Sequence, residues 1–168
     1  MPTTTTDMQK MTTALSGKEE KYLTFSLGAE EYGLEILKVR EIIGYMDITA
    51  VPQTPPYVKG VINLRGQVIP VIDIRTLFGM QPREVTDETC IIVVETVRDK
   101  RARQTGLIVD KVSEVLDIPV AQIEEPPRVG DSLDTDFILG MGKVHDTVKI
   151  LLNIDKVLHS AKLDAVQK

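Results

Sequence analysis

Cysteine is almost absent from this chain. Cys90 stands alone among 168 residues, so no intrachain disulfide forms and no cysteine cluster binds a metal. It lies in the apolar run Cys90-Ile91-Ile92-Val93-Val94, which reads as a small buried hydrophobe in a reducing compartment. Histidine is scarce too. His145 and His159 have no His or Cys at metal-ligand spacing, and both read as solvated surface residues. No apolar stretch approaches the roughly 20 residues that span a bilayer. The opening Met1-Pro2-Thr3-Thr4-Thr5-Thr6-Asp7 has neither a positive n-region nor an apolar h-region, so no signal peptide is expected. Positive charge is in deficit: the formal net charge is −5 and the pI about 5.1. That argues against nucleic-acid binding, which rests on Lys and Arg neutralising phosphates, while leaving room for a local basic patch.

What remains is ordinary globular composition, 42% hydrophobic and 27% charged, enough for one medium domain or two small ones. Residues 1–18 are Thr-rich and polar and read as a disordered tail, and residues 161–168 as a second tail. Between them, strand signals dominate. Leu23, Phe25 and Leu27 alternate with Tyr22, Thr24 and Ser26, the period of a half-buried strand. Gly28-Ala29 then turns the chain into Tyr32, Leu34 and Ile36, a hairpin. Ile36 to Val39 reads as a single helical turn before Arg40-Glu41-Ile42-Ile43 extends again. A second hairpin turns at Gly66-Gln67, and Pro70 in its second strand predicts an edge or a bulge. Asp73 is a natural N-cap for a short helix, Ile74 to Phe78, which Gly79 would stop. Later, Cys90 to Val97 pairs with Gln104 to Val109 across a charged turn.

The second half repeats the first. Gly33-Leu34-x-x-x-Lys38-Val39-x-Glu41-Ile42 returns as Gly106-Leu107-x-x-x-Lys111-Val112-x-Glu114-Val115, an offset of 73. Gly60, Val68, Asp73 and Ile74 return as Gly140, Val148, Asn153 and Ile154, an offset of 80. The extra residues fall after the proline pairs Pro55-Pro56 and Pro126-Pro127, in turn-like sequence around Gly130-Asp131-Ser132, where insertions belong. We read an internal duplication, with a first repeat over 19–87 and a second over 88–160. A repeat of this size, with about five short strands, fits a small SH3-like barrel, which removes exposed sheet edges by closing. The repeats either fold in sequence or exchange strands. Two such units facing each other would leave an apolar groove at their junction.

Recognisable catalytic chemistry does not emerge. Asp131, Asp134 and Asp136 have calcium-loop spacing, but Asp136 occupies the position that needs glycine and Gly142 the position that needs glutamate. Gly140-Met141-Gly142 does not continue into a GxGxxG, and there is no Walker GK[ST]. No convergent acid/base or nucleophile set points to an enzyme, although a small-molecule-binding or hydrolytic β-barrel is the reading from another class. No cofactor or metal is implied. Arg98 to Arg103 is basic but interleaved with Asp99, either a solvated hairpin turn or a docking surface. Two features resist a purely structural account. Ile36, Val39 and Ile42 on a one-turn helix and the strand after it present apolar groups on more than one side, around Glu41. Arg65, beside the turn glycine, is either a solvated arginine or one placed at a hairpin tip for a partner, which its rigid donor fork suits.

At these residues the chain resembles the CheW family of chemotaxis coupling proteins. The resemblance is carried by Glu31-Tyr32-Gly33-Leu34-Glu35-Ile36-Leu37-Lys38-Val39-Arg40-Glu41-Ile42, then Pro56 to Gly66, including Gly60-Val61-Ile62-Asn63-Leu64-Arg65-Gly66. It continues through Val68 to Asp73 and Gly106 to Val112, spanning about residues 20–160. It implies a mainly β fold of two SH3-like five-stranded barrels with short helices. It implies a non-enzymatic, cytoplasmic adaptor, recruited to membrane receptor arrays, that bridges the cytoplasmic hairpin tip of methyl-accepting chemoreceptors to the regulatory domain of a CheA-type histidine kinase. The receptor surface carried over is Ile36, Val39, Glu41 and Ile42 in the junction groove, with Arg65 beside it, in helix-in-groove recognition. The positions carried over for the kinase are Glu124 and Val129. A paralogous scaffold of a non-motility chemosensory pathway is the alternative. No nucleic acid and no membrane insertion are implied.

Overall fold

The computed structural model describes residues 19–126 and 137–160. The expected tails and the stretch around Gly130 lie outside them. Among the described residues eleven strands run in chain order: β1 (Glu19–Leu27), β2 (Glu30–Glu35), β3 (Val39–Gly44), β4 (Val58–Leu64), β5 (Gln67–Asp73), β6 (Cys90–Arg98), β7 (Arg101–Val109), β8 (Lys111–Pro119), β9 (Ile123–Glu124), β10 (Ile138–Val144) and β11 (Thr147–Leu152). Two short helices follow β5 and β11: α1 (Ile74–Leu77) and α2 (Ile154–Ser160). Among the described residues no helix is long and apolar enough to cross a membrane.

The strands form two sheets, and neither sheet is one repeat. One has the order β3-β6-β7-β5-β4, the other β8-β1-β2-β11-β10-β9. The β1–β2 hairpin therefore lies in the sheet of β8–β11, and the β6–β7 hairpin in the sheet of β3–β5. The exchange is reciprocal to the residue. Val71 pairs in parallel with Gly106, and Leu151 with Gly33, the counterparts in the other repeat. Leu23 faces Leu34 in one hairpin as Ile92 faces Leu107 in the other. The 87/88 division thus separates sequence repeats but does not separate the sheets.

Each sheet curls until its edges meet, giving two SH3-like barrels. In the first, Thr49 bridges Val61 of β4 with backbone bonds of 2.9 Å in both directions. In the second, β8 runs through a 3-10 turn (Val120–Gln122) into β9, which pairs with β10. Gly60 and Gly140 sit at these crossings. A Cβ on Gly60 would lie 2.0 Å from the Thr49 carbonyl oxygen, and one on Gly140 2.6 Å from Ile123.

The barrel interiors are small. Ile62, Ile69, Val71, Ile91 and Val93 fill the first; Tyr22, Ile118 and Leu151 fill the second. The largest core lies between the barrels, where Leu23, Phe25, Leu27 and Leu34 meet Ile72, Ile92, Val94 and Leu107, with Ile74 and Val157 from the helices. β6 is apolar on both faces for this reason: Ile91 and Val93 point into a barrel, Ile92 and Val94 into the layer between. The helix after β5 is capped as expected, with the Asp73 carboxylate accepting from Arg75 N–H at 3.0 Å.

Three expectations change. Pro70 is in an interior strand of its sheet rather than at an edge, and the bulge of the β4–β5 pairing lies one residue away, where Val58 and Gly60 face Ile72 and Val71; pairing of β5 with β7 begins only at Val71, so Pro70 removes no donor from that ladder. Cys90 is half-buried rather than buried, because it opens β6 and its Sγ reaches the Glu88 carbonyl oxygen at 3.1 Å. The second hairpin turns at Arg65-Gly66, one residue earlier than its sequence suggests, since β4 ends at Leu64 and β5 starts at Gln67.

Candidate functional site

The chain passes between the two sheets twice, from β2 to β3 and from β7 to β8. The first crossing is the 3-10 turn Ile36–Lys38, which leads into β3. Ile36 and Val39 are half-buried and pack against the core between the barrels. Leu37, between them, is 83% exposed, and Ile42 is 43% exposed. A bulge at Arg40 decides which side chains share a face. Val39 lies opposite Val94 and Ile42 opposite Ile92, both residues of the inter-barrel layer; Glu41 lies opposite Val93, a barrel-interior residue. Without the extra residue, strand alternation would put Val39 and Ile42 on opposite faces. The Lys38 ammonium meets Asp155 of α2 at 2.8 Å, and Arg40 meets Glu95 of β6 at 3.5 Å.

Arg65 occupies the first turn position of the β4–β5 hairpin at φ 52, followed by Gly66 at φ 84. Both are left-handed, as a tight hairpin turn of this kind requires. The Asn63 side chain steadies it by accepting from Gly66 N–H at 2.9 Å. Glycine or asparagine is the comfortable residue at Arg65's position, so the arginine is there despite its backbone. Its guanidinium reaches β3 and grips Glu41 with two nitrogens, Nη1 at 3.2 Å from Oε1 and Nη2 on Oε2. The hydrogen bond from Arg65 holds the Glu41 carboxyl below the usual range, and Arg65 is correspondingly raised. Because Arg65 stays largely exposed, the pair orients its side chains more than it stabilises the fold.

The second crossing is built differently. Asp110, the counterpart of Leu37 by the repeat offset, accepts from Arg75 Nε at 2.8 Å and Nη2 at 2.7 Å, from Arg83 Nη1 at 2.9 Å and from Gly28 N–H at 2.7 Å. Arg75 also donates to the Gln81 carbonyl oxygen at 2.8 Å. Burial by itself would push the Asp110 carboxyl up; the Arg75 guanidinium, the Gly28 amide and Arg83 outweigh it and hold it at about 2. Nearby, Phe25 stacks on Tyr32 with centroids 5.8 Å apart, and Phe78 lies tilted against Tyr32 at 5.9 Å. One crossing is thus sealed by a nearly buried ion pair. At the other, Asp155 stands where the repeat offset would put Arg75, pairs with Lys38 instead, and leaves Leu37 bare.

Of the residues singled out from the sequence, Ile36, Val39 and Ile42 come together at the open crossing, and Glu41 joins Arg65 across the barrel. Glu124 is exposed on β9 in an ion pair with Lys143, at the far edge of the other sheet. Val129 lies outside the described residues. Leu37 escaped the sequence reading, although its place between two half-buried apolar residues of a single turn was the available signal. His145 and His159 are exposed, and His145 has φ 56 at the turn that corresponds to Arg65's. Among the described residues, no cluster of His, Cys, Asp and Glu is arranged to hold a metal. The arrangement offers an apolar strip bordered by a fixed ion pair, suited to docking.

Residues 21–162 match the CheW-like domain family. The chain is 39% identical over 147 residues to chemotaxis protein CheW of Klebsiella aerogenes, covering 88% of this chain and 86% of that one. It is 28% identical over 152 residues to protein FrzA of Myxococcus xanthus, covering 89% and 92%. Among solved structures, it superposes on the scaffolding protein TtCheW of Thermoanaerobacter tengcongensis with a TM-score of 0.74 and 36% identity, covering 89% of this chain and 97% of that one.

Proposed function

The chain belongs to the CheW-like family, and from that premise we propose that it is a non-catalytic chemotaxis adaptor coupling chemoreceptor cytoplasmic tips to the regulatory domain of a histidine kinase. The observation that supports this most is the unequal pair of crossings. A duplicated fold offers two equivalent seams; exposed Ile42 on one is matched by exposed Val115 on the other, but the first places a bare apolar side chain, Leu37, at the crossing itself beside half-buried Ile36 and Val39, where the second places Asp110. A receptor helix would lay its apolar face there, with the Glu41–Arg65 pair as the polar rim. The kinase would dock elsewhere, around Glu124 at the end of the second barrel, with Val129, outside the described residues, as the other candidate position. Such an adaptor works in the cytoplasm at the receptor array.

The test is reconstitution. Receptor control of kinase autophosphorylation should appear only when receptor fragment, kinase and this chain are all present. A chain that binds neither partner sinks the reading. A second reading, an adaptor of the same build in a chemosensory pathway that does not control motility, draws support from the similarity to FrzA, a relative not named as a chemotaxis protein. Loss of swimming behaviour on deletion would decide between them.

A further inference from the structure

The second crossing is covered by the chain that leaves α1. Gly79, at φ 77, ends that helix, with Gly79 N–H and Met80 N–H donating back to the Thr76 and Arg75 carbonyl oxygens. Met80 then packs on the central core, its Cε 3.6 Å from where a Cβ on Gly28 would stand. The Gln81 carbonyl oxygen accepts from Arg75, and Arg83 reaches Asp110 at 2.9 Å. The residue in Leu37's place is thus met by the segment following a helix. α2 stands in the same relation to the first crossing. Its Asp155, the counterpart of Arg75, meets Lys38, the neighbour of Leu37, at 2.8 Å. His159 replaces Gly79, and α2 runs on to Ser160. The chain beyond is Ala161-Lys162-Leu163-Asp164-Ala165-Val166-Gln167-Lys168, outside the described residues. Its chemistry matches the seam. Leu163 has the offset of Arg83 as Leu37 has that of Asp110, so an ion pair at one crossing is answered by two leucines at the other. Val166 follows at the i+3 spacing that puts two side chains on one helical face.

We propose that residues 161–168 return to the first crossing and lay Leu163 and Val166 on Leu37, so that the chain covers its own apolar strip until a partner helix displaces it. The displacement rests on the reading of the open crossing as the helix site; the cover does not. The reach suffices. Five residues of helix separate Asp155 from Ser160, about 7.5 Å, and eight extended residues span up to about 26 Å. The gain is apolar: Leu37 is 83% exposed, and covering it removes that surface from water. A second copy of the chain is the weaker occupant, because a segment tethered to the adjoining helix acts at an effective concentration of about millimolar.

The test compares the full chain, a chain ending at Ser160, and the double variant Leu163→Ser with Val166→Ser. In methyl-labelled protein the Leu37 methyls should show nuclear Overhauser contacts to Leu163 or Val166 in the full chain at every protein concentration, and in neither variant. A synthetic amphipathic helical peptide, followed by fluorescence anisotropy, should bind both variants about fivefold more tightly than the full chain, the ratio for a crossing covered about four-fifths of the time. Leu37→Asp should bring the full and shortened chains to one weakened affinity. Absence of the contacts overturns the cover, whatever the peptide does. Contacts that appear only at high protein concentration overturn it too, by placing the segment on a second copy. Contacts together with equal peptide affinity in the full and shortened chains overturn the displacement. A peptide that binds none of the three proteins sinks the helix site, while the methyl contacts still decide the cover.

Discussion

Arg65 adopts a backbone conformation that suits asparagine or glycine better, and Asp110 carries two arginines and an amide on one carboxylate. These two residues give the sharpest contrast between docking and stability. Arg65→Asn should leave the melting temperature unchanged or raise it, since left-handed backbone costs asparagine less, by up to about 1 kcal/mol. The same substitution should weaken receptor control in the reconstituted assay, because Glu41 loses its partner. Arg65→Glu should weaken it further by repelling Glu41; a melted variant would instead make the arginine structural. Asp110 should behave in the opposite way. Its carboxyl is depressed to about 2, so its stabilisation is complete above the ordinary carboxylate pKa of about 4 and disappears as pH falls from there to about 2. The shift corresponds to about 2 kcal/mol. Asp110→Asn strands Arg75, whose side chain is only 12% exposed, and should cost about 3 kcal/mol at neutral pH. In urea titrations across pH, the variant should also lose the acid limb that the parent shows.

At the scale of elements, barrel closure depends on backbone passing over backbone. Gly60→Ala would place a methyl group inside the Thr49 carbonyl at φ 145, and should cost more than about 3 kcal/mol or prevent folding, whereas alanine at exposed Gly44, whose Cβ would touch nothing within 4 Å, should cost far less. Thermal melts of the two variants separate closure from general intolerance of glycine replacement. The bulge at Arg40 is the second element-scale device. It was not legible in the sequence, because Val39-Arg40-Glu41-Ile42 reads equally well as a regular strand, and only the pairing with β6 reveals the extra residue. Val39 is half-buried against the central layer, so Val39→Asp should lower stability by roughly 1–2 kcal/mol as well as weakening docking. Leu37→Asp should weaken docking alone.

For the whole molecule, neither sequence repeat owns a complete sheet. Each barrel takes a hairpin from one half and its remaining strands from the other, and the largest core lies between them. Chain cut in the exposed stretch between α1 and β6 should therefore yield halves that are unfolded when separate and restore native circular dichroism when mixed. Two independently folded halves would contradict this cooperativity. The repeat itself, the strands and the capped helix were readable from spacing, because hydrophobic period and cap chemistry are local. The exchange was not, because a strand's alternation says which faces are buried and nothing about which partner lies beside it.

The sequence alone determined the strand periods and the duplication, and it singled out Ile36, Val39, Glu41, Ile42 and Arg65, each written in local pattern or repeated motif. The tertiary structure decided which crossing is sealed and which is open. That outcome depends on Arg75, Arg83 and Gly28, distant in the chain, converging on Asp110, while Asp155 takes Lys38 and leaves Leu37 uncovered. Charge pairing across the seam is a property of three-dimensional proximity, and two repeats with nearly the same pattern acquire different surfaces through it.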